Sequence, residues 1–87
     1  MKQGIEMIEV KVIAFGIAKD ILQTKEHFLS IQRSSSIADL RESLINEFPA
    51  FEGLSSLQFA VNEDYVEEDY IINEKDEVVL IPPVSGG

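Results

Sequence analysis

Apolar residues recur along this chain with two different periods. In MIEVKVIA, Ile8, Val10 and Val12 alternate with Glu9 and Lys11. A period of two places the two sets on opposite faces, which predicts a half-buried strand. In GIAKDIL, the residues Ile17, Ala18, Ile21 and Leu22 fall at helical spacing, predicting one or two turns over about 16–22. KEHFLSIQ predicts a second strand, with Leu29 and Ile31 on one face and His27 in the same parity. SSSIADLRESLINEFP then carries Ile37, Leu40, Leu44, Ile45 and Phe48 as a single stripe, predicting the main helix over about 36–48. Ser36 suits the N-cap, because its hydroxyl can accept from a free N–H of the first turn, and Asp39 suits the positive helix end. Pro49 disfavours helical geometry at Phe48 and stops the helix there. LQFAVN predicts a third strand, EDYVEEDY an acidic hairpin, NEKDE a turn, and VVLI a last strand buried on both faces.

The order is therefore strand, short helix, strand, main helix, then further strands. A helix with one apolar stripe buries it by crossing one sheet, which gives an α+β domain with a mixed sheet. A hairpin, a crossing helix and further strands describe the ubiquitin-like β-grasp arrangement. No linker, repeat or low-complexity stretch divides residues 1–87, so one domain is expected. Met7 offers a second start, which would leave residues 1–6 as a loose extension.

Composition narrows the function more than the fold. The chain has 87 residues, of which 45% are hydrophobic, and so can fold as a small globular unit. It has no cysteine, which excludes disulfides, thiolate metal sites and cysteine nucleophiles. Its single histidine, His27, cannot build a catalytic triad or a histidine-rich metal site, and its strand parity suggests a partly buried position. The net charge of −9 would repel a phosphate backbone, so no nucleic-acid partner is expected. No apolar run approaches the roughly 20 residues of a membrane span. Gln3, Gly4 and Glu6 interrupt any signal-peptide core, so a cytoplasmic protein is expected, with no membrane contact. The acidic run Glu63, Asp64, Glu67, Glu68 and Asp69 could dock a basic surface, but it reads first as a solvated hairpin. It lacks the spacing and turn glycine of a calcium loop.

The segment IPPVSGG carries the candidate chemistry. Pro82 and Pro83 lack backbone N–H groups and fix φ, so they end the sheet ladder and favour an extended exit. Residues 82–87 are expected to form a protruding tail that reaches roughly 18–20 Å. Without Cβ atoms, Gly86 and Gly87 could enter a slot too narrow for other residues. A carboxylate at Gly87 is unreactive until adenylation makes it a mixed anhydride. A sulfur nucleophile would then give a thiocarboxylate, and an amine or thiol would give a conjugate. Such chemistry sits on the terminal carbon and needs no cysteine in the carrier.

DEVVLIPPVSGG resembles the C-terminal signature of the small subunit of molybdopterin synthase, the MoaD family of sulfur carriers. AVNEDYV, FGIAKDIL and SIADLRESL resemble the same family's strand-and-turn segment, first helix and main helix. The resemblance implies that a MoeB-like adenylating enzyme activates Gly87 with ATP and that a sulfur donor converts it to a thiocarboxylate. The tail would then enter the large synthase subunit, in a heterotetramer, and pass sulfur to cyclic pyranopterin monophosphate. It further implies that this chain binds no cofactor itself, and that the pterin is held mainly by the large subunit. By the same resemblance Gly87 bears the sulfur, while Val84, Ser85 and Gly86 thread into the partner. Ile81, Pro82 and Pro83 mark where the tail leaves the sheet, and Phe15 and Phe59 are candidate partner contacts. Where family members often carry glycine, this chain has Gln23 and Lys75. Two other readings stay open: a ubiquitin-like sulfur carrier for another pathway, such as thiamine synthesis or tRNA thiolation, and a β-grasp interaction module with an inert tail.

Overall fold

The computed structural model describes residues 6–54 and 56–82. In chain order it contains β1 (Met7–Ala14), α1 (Gly16–Leu22), β2 (Glu26–Gln32), α2 (Ile37–Glu47), a 3-10 turn (Pro49–Gly53), β3 (Gln58–Val61), β4 (Asp64–Tyr65) and β5 (Glu77–Ile81). The strands form one sheet in the order β2-β1-β5-β3-β4. β1 pairs with β5 in parallel, and the other neighbours are antiparallel. This is the ubiquitin-like β-grasp order.

The alternation read in β1 is the alternation observed. Ile8, Val10, Val12 and Ala14 face inward with Leu29 and Ile31 of β2, Phe59 and Val61 of β3, and Val78 and Leu80 of β5. Ile37, Leu40 and Leu44 of α2 close over this row and are fully or almost fully buried. The Ser36 hydroxyl accepts from the Asp39 N–H at 3.2 Å, and the Asp39 carboxylate accepts from the Ser36 N–H at 3.0 Å. That reciprocal pair fixes the start of α2. After Phe48 the chain makes a further 3-10 turn, which no period in the sequence predicts and which buries Phe51 against the core. One expectation for β5 is corrected. Val78 and Leu80 are fully buried, but Val79 and Ile81 are only half-buried, because α2 covers one face of the sheet and nothing among the described residues covers the other.

The turns explain where this chain departs from the family pattern. Gln23 adopts a left-handed φ of 62° and its N–H donates to the Lys19 carbonyl at 2.7 Å, closing α1 in the geometry that glycine adopts without strain. Lys75 and Asn73 have no such conformation. The turn before β5 is built on a buried carboxylate instead. Asp76 accepts from the Asn73 N–H at 2.8 Å, the Tyr70 hydroxyl at 2.9 Å and the Asn62 side-chain amide at 3.0 Å. Asn62 in turn accepts from the Glu77 N–H at 3.3 Å, so this knot ties the β3–β4 turn to the start of β5.

Relieving the left-handed glutamine should stabilise the fold. Gln23→Gly is expected to raise unfolding free energy by about 1 kcal/mol in urea denaturation, whereas Gln23→Val should lower it. The Asp76 knot predicts a pH signature. The hydrogen bond to Asp76, followed by burial and the charge of Asp76, raises the Tyr70 phenol above its ordinary value of about 10. Its contribution is therefore complete below about pH 10 and is lost as pH climbs through the folded value. Tyr70→Phe should cost about 1–2 kcal/mol at neutral pH. The gap between wild type and variant should close in strongly alkaline buffer; a gap that stays constant there would contradict the assignment.

Candidate functional site

The face of the sheet opposite α2 is set by the strand register. Side chains at odd positions of β1 share it with even positions of β2 and β3 and odd positions of β5. Pairing aligns Ile13 with Val79, Val79 with Ala60, and Ala60 with Tyr65 in one row across four strands. Ile13 and Ala60 are buried by their neighbours but stand outside the main core. Around them Phe28 is 53% exposed and Tyr65 68% exposed. Ile81 is half-buried at the end of β5, opposite Gln58. The result is an apolar band on an open sheet face, of the kind that marks a contact surface rather than a solvated one.

Charge lies beside this band. Lys11 and Glu77, paired across β1 and β5 on this face, approach to 3.7 Å. Glu9 and Glu26 share the same parity, so the flank toward β2 is acidic. Lys25 places its ammonium 5.4 Å from the centre of the Phe15 ring. No group of three or more His, Cys, Asp or Glu side chains that could hold a metal occurs among the described residues.

The band meets the end of β5. β5 ends at Ile81, and the next residue, Pro82, has no N–H to continue the ladder. Phe15 caps α1 with extended backbone, and Gly16 has a left-handed φ of 57°. A Cβ on Gly16 would lie 3.4 Å from the Pro82 ring, so the start of α1 abuts the end of the last strand. Phe15, 46% exposed, stands at this junction.

The sequence-predicted residues thus separate. Ile81, Pro82 and Phe15 come together at one end of the open face. Pro83, Val84, Ser85, Gly86 and Gly87 lie outside the described residues. Phe59 is a correction: it faces α2, is 2% exposed, and carries the Arg41 guanidinium 5.3 Å from its ring centre, so it belongs to the core and presents nothing to a partner. The reason is parity, since Phe59 pairs with the inward-facing Leu80 whereas Ala60 pairs with Val79. The sequence reading missed Ile13, Phe28, Val79 and Tyr65. Their signal was available as apolar residues of the opposite parity within strands that already had a buried face. His27 takes the partly buried position expected, with its ring edge-on to Phe48 at 5.5 Å.

Comparison with known proteins adds a second line. The chain matches the ThiS family over residues 12–87. It is similar to the molybdopterin synthase sulfur carrier subunit of Arabidopsis thaliana, 31% identical over 81 residues that cover 92% of this chain and 84% of that protein. Among solved structures it is similar to a chain in the complex of subunits 1 and 2 of the molybdopterin-converting factor from Helicobacter pylori. That chain is 25% identical with a TM-score of 0.63, the match covering 92% of this chain and 100% of that one. Small archaeal modifier protein 1 of Methanosarcina acetivorans is also 25% identical, with a TM-score of 0.75 over 94% of this chain and 99% of that one.

Surface and core phenylalanines should respond differently to truncation. Phe59→Ala is expected to cost about 3–5 kcal/mol of stability. Phe15→Ser and Phe28→Ser should each change it by less than about 1 kcal/mol. Thermal unfolding of the three variants checks this; a Phe15 variant as unstable as the Phe59 variant would place Phe15 in the core.

Proposed function

The chain belongs to the ThiS family, and from that premise we propose that it is the sulfur-carrying small subunit of a molybdopterin synthase. The observation that carries the reading is the match, over most of both chains, to relatives that bear that name. The open apolar face beside the tail's root supports it, because a carrier must be held while its terminus reaches into another protein's site.

In this reading a MoeB-like enzyme spends ATP to adenylate the Gly87 carboxylate, releasing pyrophosphate. A sulfur donor displaces AMP and leaves a thiocarboxylate. The tail then enters the large subunit, where the sulfur attacks the pterin precursor, cyclic pyranopterin monophosphate. Two such transfers supply the dithiolene sulfurs. Gly87 carries the sulfur, Gly86, Ser85 and Val84 thread the slot, and Ile81, Pro82 and Pro83 aim the tail out of the sheet. Phe15, Phe28, Ile13 and Val79 supply the docking face. This chain holds no cofactor, ATP belongs to the activating partner, and the pterin sits mainly in the large subunit, within a cytoplasmic heterotetramer. Assembly with a large subunit is supported by the Helicobacter pylori complex, which pairs a similar chain with a second subunit of the converting factor.

The likeness to a small archaeal modifier favours a second reading, in which the activated terminus is passed to an amine on another protein. Both readings need an activated Gly87 and differ in what receives it. Incubation with ATP, the activating enzyme and a sulfur donor should increase intact mass by the exchange of one oxygen for sulfur. One residue added after Gly87 should abolish this shift without changing thermal unfolding. Adding the large subunit and the precursor should then return the oxygen form with pterin product. Covalent adducts on lysines, with no pterin product, would favour the modifier reading. Full sulfur loading of the extended chain would sink both.

A further inference from the structure

β2 lies at the edge of the sheet, and no described strand pairs with its outer side. The register shows which backbone groups point outward. The Arg33 N–H donates to the Glu6 carbonyl at 2.8 Å, and the Ala14 N–H to the Lys25 carbonyl at 2.9 Å. Both bonds lie within the β1–β2 register, in which Ile8 faces Ile31 and Val12 faces His27. In an antiparallel ladder, hydrogen-bonded pairs alternate with unbonded ones. The odd residues of β2 therefore bond to β1, and Glu26, Phe28, Ser30 and Gln32 turn their N–H and C=O groups outward.

At the two ends of this edge the outward carbonyls are already engaged from within. The Thr24 hydroxyl donates to the Glu26 carbonyl at 3.1 Å. The Ser35 hydroxyl and N–H both donate to the Gln32 carbonyl, at 2.7 and 3.2 Å. The middle, Phe28 and Ser30, stays open, with both donors and both acceptors unpaired by any described strand. An open edge of this kind is a template for one more strand.

The surroundings specify what that strand would carry. A cleft of about 370 Å³ runs along the edge between β2 and α2, lined by Ser30, Ile31 and Gln32 on one wall and Asp39, Glu42 and Asn46 on the other. Its described lining contains two carboxylates and no cation. On the opposite side of the edge stands the exposed Phe28 ring. A strand added here would alternate its side chains between the two. One set would pack on Phe28, and the other would lie in the acidic cleft.

We infer that the β2 edge is a strand-addition site for an extended partner segment that alternates apolar and basic residues, engaged through the backbone of Phe28 and Ser30. The inference does not depend on the chemistry at Gly87. The partner's lysine or arginine side chains lie along Asp39 and Glu42, and the engaged carbonyls of Glu26 and Gln32 limit the added strand to a few residues.

The test is an amide-resolved NMR titration of the full chain with a short capped peptide of alternating lysine and valine. The largest shifts should fall on the Phe28 and Ser30 amides, and their hydrogen exchange should slow several-fold. The same peptide N-methylated on the edge-facing amides should not bind. Glu42→Lys, on the exposed surface of α2, should weaken binding several-fold while leaving the fold intact. Ser30→Pro, which deletes an outward donor, should abolish binding if it folds. Equal binding of the N-methylated peptide would show adsorption by charge alone and overturn the inference. Shifts centred on Ile13 and Val79 would place the peptide on the open face instead, with the same consequence, as would the absence of any shift.

Discussion

The parallel pairing of β1 with β5 organises everything else in this molecule. Lys11 faces Glu77 and Ala14 faces Leu80 across it. A parallel pair cannot be closed by a tight turn, so the whole intervening chain serves as the crossover, and α2 is carried onto one face of the sheet. The same pairing places β5 between β1 and β3 rather than at an edge. Its backbone is bonded on both sides, and opening it would break two ladders at once. Ile81, the last residue of β5, therefore sits in the part of the fold expected to open last.

One helix over five strands also leaves a deficit. The inward row of Val10, Val12, Val78 and Leu80 is closed by Leu40 and Leu44. Among the described residues, the outward row of Ile13, Val79 and Ala60 is covered only by its own neighbours. A chain of this length has too little material to roof both faces. The open apolar face thus follows from topology and size. It needed no patch added to a finished monomer, only strands that are apolar in both parities, with Lys11, Glu77, Glu9 and Glu26 keeping its flank hydrated.

Most of the fold was legible because its periods are clean. The stripe from Ile37 to Phe48 and the Ser36–Asp39 cap marked α2 to within a residue at each end. The alternation in β1 fixed which face is core. The features that stayed hidden depend on pairing partners. Phe59 and Ala60 are adjacent and both apolar, and only the register against β5 tells which one looks inward. The 3-10 turn after Phe48 has no periodic signal, since Pro49 marks the end of a helix and carries no information about the geometry beyond it. The Asp76 knot joins Tyr70 and Asn73 of its own loop to Asn62 of the β3–β4 turn, a link that no local pattern reveals. Of the candidate site, the end of β5 at Ile81 could be read directly, since proline's missing N–H is a local property. The open face could not, because exposure of Val79 depends on the absence of a second helix over it among the described residues.

In the proposed function one enzyme loads the carrier and another discharges it, and both would need access to Pro82, where the chain leaves the sheet. Phe15, Ile81 and the Ile13–Val79 row surround that point, so two partners that both grip it exclude each other, and each handover requires release. The β2 edge is oriented differently. Its outward groups lie in the plane of the sheet, at the side away from β5, while the apolar band projects along the sheet normal. A segment added to Phe28 and Ser30 could therefore remain bound while the face exchanges one partner for the next. Only the Phe28 ring is shared between the two surfaces. That single overlap makes it the position through which occupancy of the edge would be felt at the face.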